Sequence, residues 1–173
     1  MDFLELAKCR YAVRDYENTE IREEDLMKIL EAGRVAPTGA NRQPQKIYVI
    51  KGDAMARLGK HTNLHGAKMA VIIAANHEEA WVRTYDHKDM VDIDASIVTT
   101  HMMLEAASLG IGSLWICSFD PKGVHEEFAM PADVEPVNIL CLGYARGQGG
   151  DPKRHDTQRK PLTETVTFIE TAE

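Results

Sequence analysis

Two arginines near the start of the chain stand at a spacing that suits the binding of an anion. They bound the segment Arg10–Arg14 (Arg-Tyr-Ala-Val-Arg), which lies where a predicted helix gives way to an extended run. Arginine presents a planar fork of donors that matches phosphate oxygens, and its charge does not titrate away. The pair therefore indicates a site for a doubly charged phosphate or for the carbonyl side of a heterocyclic ring. Solvated arginines at a helix end are the alternative.

A second segment, Ala36–Pro44 (Ala-Pro-Thr-Gly-Ala-Asn-Arg-Gln-Pro), is rich in small residues and amides. The amides of Asn41 and Gln43 both donate and accept hydrogen bonds, as the edge of a polar heterocycle and sugar-like hydroxyls also do. Gly39 allows the backbone to approach a ligand closely. A plain turn between a helix and a strand explains the prolines and the glycine, but it does not require both amides.

Two later segments add to this chemistry. In Gly110–Asp120 a predicted strand ends and a helix begins within a few residues, so backbone N–H groups are free and favour negative charge. Cys117 lies there, but no signature supplies a base to activate it as a nucleophile. Arg154–Pro161 is a basic cluster in an acidic chain. It predicts a second contact with phosphate, with a solvated tail as the alternative.

Charge and hydrophobicity exclude two classes of partner. The formal net charge of -7 argues against a nucleic-acid binder, which needs a basic face. The local basic clusters can still bind one small anion. The longest apolar runs, such as Met69–Ala75, are far shorter than the roughly 20 residues of a membrane span. We therefore expect neither nucleic acid nor a membrane as partner.

The cysteines and histidines predict neither disulfides nor a metal site. The three cysteines are widely spaced and odd in number, as is typical of reduced thiols in a cytoplasmic protein. Only His61 and His65 among the histidines stand four residues apart, and nothing nearby supplies a convincing third ligand.

The pattern of apolar residues predicts one domain, 1–173, in which helices and strands are interleaved. Predicted helices cover Asp2–Lys8, Thr19–Val35, Ala54–Gly59, Val91–Leu109 and Pro121–Phe128. Predicted strands cover Lys46–Ile50, Met69–Ala75, Ser113–Cys117, Val137–Gly143 and Thr163–Ile169. The segment Glu78–Met90 has no clear pattern. The helix Val91–Leu109 is apolar most of the way round, which predicts burial on nearly all sides and hence a subunit interface.

Taken together, these segments resemble the FMN-dependent nitroreductase family over Phe3 to about Phe168. The markers are Arg10–Arg14, Ala36–Pro44, Asp94–Gly112, Trp115–Ile116, Leu142–Tyr144 and Arg159–Pro161. The chain departs from the family pattern at three positions. Ala12 and Thr38 each stand where the family usually has serine, and Gln45 replaces an aromatic residue.

The resemblance implies an α+β fold with a mixed sheet flanked by helices, in an intertwined homodimer with FMN at the interface. One subunit would contribute Arg10, Tyr11, Ala12 and Arg14, with Arg159 and Lys160 near the phosphate. The partner would contribute Pro37, Thr38, Gly39 and Asn41, with Gln43 as a further flavin contact. Cys117 and Ser118 would present backbone groups near flavin N5 and O4.

The activity implied is ping-pong hydride transfer from NAD(P)H through the flavin to an electron-poor acceptor such as a nitroaromatic or a quinone. No side-chain acid or base is required, so no catalytic residue is predicted. Trp81, Arg83 and Tyr85 lie in a segment that often covers the flavin in this family, with a surface loop as the alternative. Three other functions remain open: related flavin chemistry such as dehalogenation or dehydrogenation, non-catalytic flavin binding, and a flavin-free interaction domain.

Overall fold

The computed structural model describes residues 2–147 and 149–170 and has an α+β fold. Its helices are α1 (Phe3–Cys9), α2 (Glu23–Arg34), α3 (Asp53–Leu58), α4 (Val91–Ser108), α5 (Pro121–Glu127), α6 (Arg154–Gln158) and α7 (Leu162–Thr165). Its strands are β1 (Gln45–Lys51), β2 (Met69–Asn76), β3 (Gly112–Ile116) and β4 (Val134–Gly143). A single 3₁₀ turn covers Gly39–Asn41. The predicted fold class is confirmed.

The four strands form one sheet in the order β1-β2-β4-β3, and all neighbours pair antiparallel. Strand β2 is central and buried along its whole length, because helices cover both faces of the sheet. Among the described residues, the only parallel pairing is an isolated bridge between Ala12 and Ser113 at the outer edge of β3. The parallel part of the expected mixed sheet is confined to that bridge.

Successive side chains of the strands point to two separate cores. On one face, α2 and α4 pack over the sheet; this core includes Leu26, Ile29, Val71, Ile73, Val98, Met102, Leu140 and Leu142. On the other face, α3 and α5 cover a core that includes Met55, Leu58, Ala70, Ile72, Val124 and Ile139. The unbroken apolar run of β2 reflects this burial on both sides.

Helix ends follow local capping rules. The Asp2 carboxylate accepts a hydrogen bond from the N–H of Glu5 at 2.8 Å, and the two residues form a capping box at the start of α1. The carboxylate of Asp120 accepts from the N–H of Gly123 at 3.0 Å and begins α5. Gly110, at φ +73°, follows the end of α4 in the left-handed conformation that favours glycine.

Two predicted elements are wrong in part or whole. The helix predicted from Thr19 begins later, at Glu23, because Arg22 is extended (ψ 140°) and its guanidinium binds the Asp25 carboxylate at 2.8 Å. The predicted strand Thr163–Ile169 is absent: helix α7 is followed by extended chain that pairs with no strand in the described part of the chain. The alternating residues of this segment therefore have no neighbouring strand to pair with in the described part of the chain.

Helix α4 is covered on one side only. Ala95, Val98, Met102 and Ala106 are fully buried against α2 and the sheet. On the other side Ile93 is 46% exposed, in an open apolar groove that it shares with Ile97 and His101 among others. The single chain therefore does not provide the all-round burial predicted for this helix.

Candidate functional site

The segment Arg10–Arg14 lies along the outer edge of β3. The N–H of Val13 donates to the carbonyl of Ser113 at 2.9 Å, which fixes the segment beside the sheet. Val13 is buried against Gly112, where a Cβ would lie 2.7 Å from the Val13 Cγ2 atom. A glycine at this position therefore permits the close approach. Arg10 is left half-buried, and Arg14 is exposed.

Arg154 ties the C-terminal basic segment to this first segment. Its guanidinium donates to the carbonyl of Arg10 at 2.6 Å and to the carbonyls of Gly150 and Asp151 at 3.2 and 2.9 Å. The sequence pattern placed Arg154 in a basic cluster but did not distinguish it from its neighbours. Its half-buried position and its contact across the chain set it apart.

The basic side chains here lack carboxylate partners. Burial lowers the pKa of the Arg10 guanidinium, and the nearby charges of Arg154 and Arg159 lower it further. In the described part of the chain no salt bridge reaches Arg10, Arg14, Arg154, Arg159 or Lys160. By contrast, arginines elsewhere pair with carboxylates: Arg22, Arg34, Arg57, Arg83 and Arg146. In a chain of net charge -7, this uncompensated cluster is suited to an anion.

A cavity of about 230 Å³ lies next to the arginine cluster. Its walls include Leu6 and Cys9 from α1, Ala107 from the end of α4, and Arg10. Ser113 also lines it, and the buried Ser113 hydroxyl has no hydrogen-bond partner among the described residues. The lining of the cavity therefore combines apolar side chains, the Ser113 hydroxyl and the positively charged Arg10.

Cys117 and Ser118 are exposed directly after β3. They lie along the same sheet edge as the arginine segment, about 13 Å away for the length of the strand. The carbonyl of Ser118 accepts from the Thr62 hydroxyl at 2.9 Å, and the N–H of Asp120 donates to the carbonyl of His61 at 3.0 Å. These two bonds hold the turn against the loop that follows α3.

The amide-rich loop, residues 37–43, has a defined and strained conformation. Ala40, Asn41 and Gln43 have positive φ values of 47°, 55° and 54°, which is uncommon outside glycine. The Thr38 hydroxyl accepts from the backbone N–H of Gln43 at 3.0 Å, and the Gln43 side chain donates to the carbonyl of Asn41 at 3.2 Å. Both predicted amide side chains are exposed, so they remain open to a ligand.

Asp94 and Trp81 connect this loop to the rest of the chain. The N–H of Gly39 donates to the Asp94 carboxylate at 2.8 Å. A Cβ on Gly39 would lie 3.1 Å from the Trp81 Cβ, so Trp81 packs directly on the loop. Arg83 is ion-paired within its own turn, and Tyr85 is 94% exposed. Of the three candidate cover residues, the structure places Trp81 against a predicted site segment.

Within one chain, the predicted site residues fall into two separate groups. Asp94 holds Gly39 at the start of α4, whereas Ala107, near the end of the same helix, lines the cavity beside Arg10. Thirteen residues of helix span about 20 Å. Arg10–Arg14 lies beside β3, and the loop leads into β1, which forms the opposite edge of the sheet.

Two other kinds of feature are absent from the described residues. Residues 2–147 and 149–170 contain no helix that is long and apolar enough to cross a membrane. The same residues contain no group of His, Cys, Asp and Glu side chains placed to hold a metal ion.

Comparison with known proteins identifies the family. The Nitroreductase family model matches residues 7–63 and 54–144. A nitroreductase family protein from Clostridium difficile 630 is 42% identical, with a TM-score of 0.96 over 99% of this chain and 100% of that chain. The chain therefore belongs to the nitroreductase family.

Two more distant proteins are also similar to this chain, one in sequence and one in fold. A Methanothermobacter thermautotrophicus protein, provisionally named an NADH dehydrogenase/NAD(P)H nitroreductase, is 27% identical over 92% of this chain and 85% of its own length. A provisionally named nitroreductase of Exiguobacterium sibiricum 255-15, solved in complex with FMN, shares the fold at 21% identity. Its TM-score is 0.84 over 98% of each chain.

Proposed function

We propose that this chain is an FMN-dependent oxidoreductase that passes hydride from NAD(P)H to an electron-poor acceptor, such as a nitroaromatic or a quinone. The observation that carries the proposal is the cluster of Arg10, Arg154 and Arg159, which forms no salt bridge with a carboxylate in the described part of the chain. A phosphate monoester dianion complements such a cluster. The names of the relatives and the FMN complex of one of them support the same chemistry.

The arginine side of the site fits the phosphate end of FMN. Arg10, Arg159 and Lys160 supply its charged donors, while Arg154 holds the Arg10 backbone in place. Tyr11, Ala12 and Arg14 continue along the sheet edge toward the ribityl chain and the ring. At Ala12 the backbone N–H takes the place of a serine side-chain contact.

The ring end of the site combines two segments. The backbone of Cys117 and Ser118 provides donors near N5 and O4, on a turn that Thr62 holds in place. From the partner subunit, the loop contributes Pro37, Thr38, Gly39, Asn41 and Gln43 to the pyrimidine edge and the ribityl hydroxyls. When bound, FMN supplies the hydride chemistry at N5. The protein orients the reactants and needs no side-chain acid or base, and the nicotinamide and the acceptor use one open face in turn.

The proposed assembly is an intertwined homodimer with two FMN sites at its interface. The two groups of site residues contact opposite ends of α4, about 20 Å apart along the helix, and in the proposed dimer a second chain brings them to one cofactor. The exposed face of α4 around Ile93 and Ile97 supplies apolar surface for this contact. The C-terminal segment, with Phe168 and Ile169 at 83% and 93% exposure, supplies more.

The test is an absorbance spectrum of the purified protein followed by anaerobic titration with NADH and with NADPH. Flavin bands that are bleached by either nucleotide, faster than free FMN at the same concentration, are the expected result. Bound flavin that resists both nucleotides would instead favour other flavin chemistry or storage. Protein that binds no flavin after reconstitution would overturn the proposal.

A further inference from the structure

Asp94 is a buried carboxylate without a counter-charge. The residue is 1% exposed, and no cation of the described residues forms a salt bridge with it. One carboxylate oxygen accepts from the N–H of Gly39 at 2.8 Å, and the other is buried with no hydrogen-bond partner among the residues that the structure describes. Burying a charge on these terms is unfavourable. The first turn of α4 offsets only part of that cost through the helix dipole.

The hydrogen bond from Gly39 joins a strained loop to a rigid helix. Ala40, Asn41 and Gln43 hold left-handed conformations that persist only where the surroundings fix them. Thr38 fixes the loop from within, through the N–H of Gln43. Asp94 fixes it from outside, through a partly buried hydrogen bond to the N–H of Gly39, which is 55 residues away in sequence.

We propose that Asp94 is a positioning residue that sets the 37–43 loop in its cofactor-binding conformation. The proposal rests on the proposed FMN site, to which the loop contributes. Asp94 does not touch the cofactor: it holds the N–H of Gly39, and Gly39 in turn determines where the Asn41 and Gln43 amides lie.

Asp92 provides a matched control within the same first turn. It is exposed, and it carries the same charge at the same end of α4. If Asp94 served only the helix dipole, the two residues would be equivalent. If it positions the loop, only Asp94 matters.

The test compares Asp94→Leu and Asp94→Asn with Asp92→Leu and Asp92→Asn. Leucine has nearly the shape of the aspartate side chain but accepts no hydrogen bond, and it removes the buried charge, so the variant is expected to fold. Asparagine keeps one carbonyl acceptor for Gly39 and removes only the charge. Two readouts are taken: hydrogen exchange of the Gly39 amide in cofactor-free protein, and the Kd for FMN.

We expect Asp94→Leu to speed exchange of the Gly39 amide and to raise the Kd for FMN, each by about tenfold or more. Asp94→Asn should restore both values to within about threefold of the wild type, and the Asp92 variants, which border the open groove of α4, should leave exchange of the Gly39 amide unchanged. Wild-type values in folded Asp94→Leu, or equally fast exchange of the Gly39 amide in Asp92→Leu, would overturn the inference.

A second pair of variants removes the donor instead of the acceptor, which keeps the test decisive if Asp94→Leu does not fold. Gly39→Pro lacks the N–H at the first position of the 3₁₀ turn, where proline is tolerated, and Gly39→Ala keeps it. We expect the Kd for FMN to rise in Gly39→Pro well beyond its value in Gly39→Ala; equal values would contradict the inference. Wild-type protein without FMN affinity would refute the proposed function alone, because the amide-exchange comparison would still stand.

Discussion

At the scale of single residues, two sets of arginines differ in their partners. Arg22, Arg34, Arg57, Arg83 and Arg146 pair with carboxylates, as Arg34 does with Glu31 at 2.6 Å. Arg10, Arg154 and Arg159 instead lie near one another: burial lowers the pKa of Arg10, and the charges of Arg154 and Arg159 lower it further. An anion that enters this cluster gains charged hydrogen bonds and relieves repulsion among the cations.

Replacing Arg10 with alanine should weaken FMN binding, because a hydrogen bond to a charged group contributes about 1.5–3 kcal/mol. The corresponding rise in Kd is about tenfold to a hundredfold. Fluorescence titration of FMN measures it. Arg34→Ala, which removes an exposed arginine that is already paired with Glu31, should leave the Kd unchanged. An unchanged Kd in Arg10→Ala would contradict the role assigned to this residue.

His77 predicts a pH dependence of stability. Its ring nitrogens lie 2.8 Å from the carboxylates of Asp89 and Glu135, linking the end of β2 to the segment before α4 and to β4. The hydrogen bond between His77 and Asp89 raises the pKa of His77 and lowers the pKa of Asp89. The His77 contribution is therefore full below its unfolded pKa of about 6.5 and lost as pH rises through the raised value.

His77→Gln should thus lower the free energy of unfolding more at about pH 5.5 than at about pH 8.5. The side chain is 42% exposed, so solvent screening limits the difference to at most about 1 kcal/mol. Urea unfolding at the two pH values measures it. An equal loss at both values would show that His77 acts through packing and not through charge.

At the scale of elements, sequence predicts those whose requirements are met locally. Helix α1 has its capping box, α5 has Asp120 before Pro121, and β2 has a continuous apolar run, so each appears close to its predicted limits. Elements that depend on distant partners were not predictable in this way. The alternation of Thr163–Ile169 suits a strand, but a strand also needs a neighbour, and the described part of the chain offers none.

Gly112, at the start of β3, allows the close contact between this strand and the arginine segment. In Gly112→Ala the new Cβ would meet Val13 at 2.7 Å and the carbonyl of Gly143 at 3.1 Å. We expect a loss of about 1–3 kcal/mol in stability. FMN affinity should also fall, because Val13 belongs to the arginine segment. Urea unfolding and FMN titration measure the two effects.

Gly33→Ala is the matched control for that change. On the α2–α4 contact, its Cβ would lie 2.9 Å from the flexible side chain of Met102 and at an ordinary contact distance of 3.4 Å from Val98. Alanine also favours the helix by about 1 kcal/mol over glycine. We expect a smaller loss of stability and unchanged FMN affinity. Wild-type affinity in Gly112→Ala would show that the β3 contact does not position the arginine segment.

At the scale of the whole molecule, one chain does not bring the two halves of the proposed site together. The sequence indicated the arginine segment and the amide loop as parts of one site, and the resemblance assigned them to different subunits. The fold separates them along α4, a distance that no local pattern encodes. The sequence placed Arg154 in a basic cluster and Asp94 at the start of a family marker but singled out neither, because each acts through a contact with a distant part of the chain.

A charge on the open face of α4 should disrupt the dimer. In Ile93→Glu, a carboxylate would be desolvated at the proposed interface, so we expect a shift toward monomer and a parallel loss of FMN. Light scattering after size-exclusion chromatography measures the mass. Ala56→Glu, on exposed surface of α3 across the sheet, should remain dimeric. A dimeric, FMN-bound Ile93→Glu would place the interface elsewhere.

If each FMN site is built from two chains, a mixed dimer that carries a different change in each chain will contain one intact site. One chain carries Arg10→Ala and the other carries Asn41→Asp, which replaces the amide donor of the loop with a carboxylate. Each variant alone should form dimers that bind FMN weakly at both sites. In the heterodimer, one site combines both changes and the other has neither.

The measurement is the number of tight FMN sites per heterodimer, separated by two affinity tags and titrated by fluorescence. We expect one site of wild-type affinity, half the number in the wild-type dimer. If each site lay within a single chain, every site in the heterodimer would carry one change. A heterodimer with no tight site would therefore show that FMN is not bound between two chains.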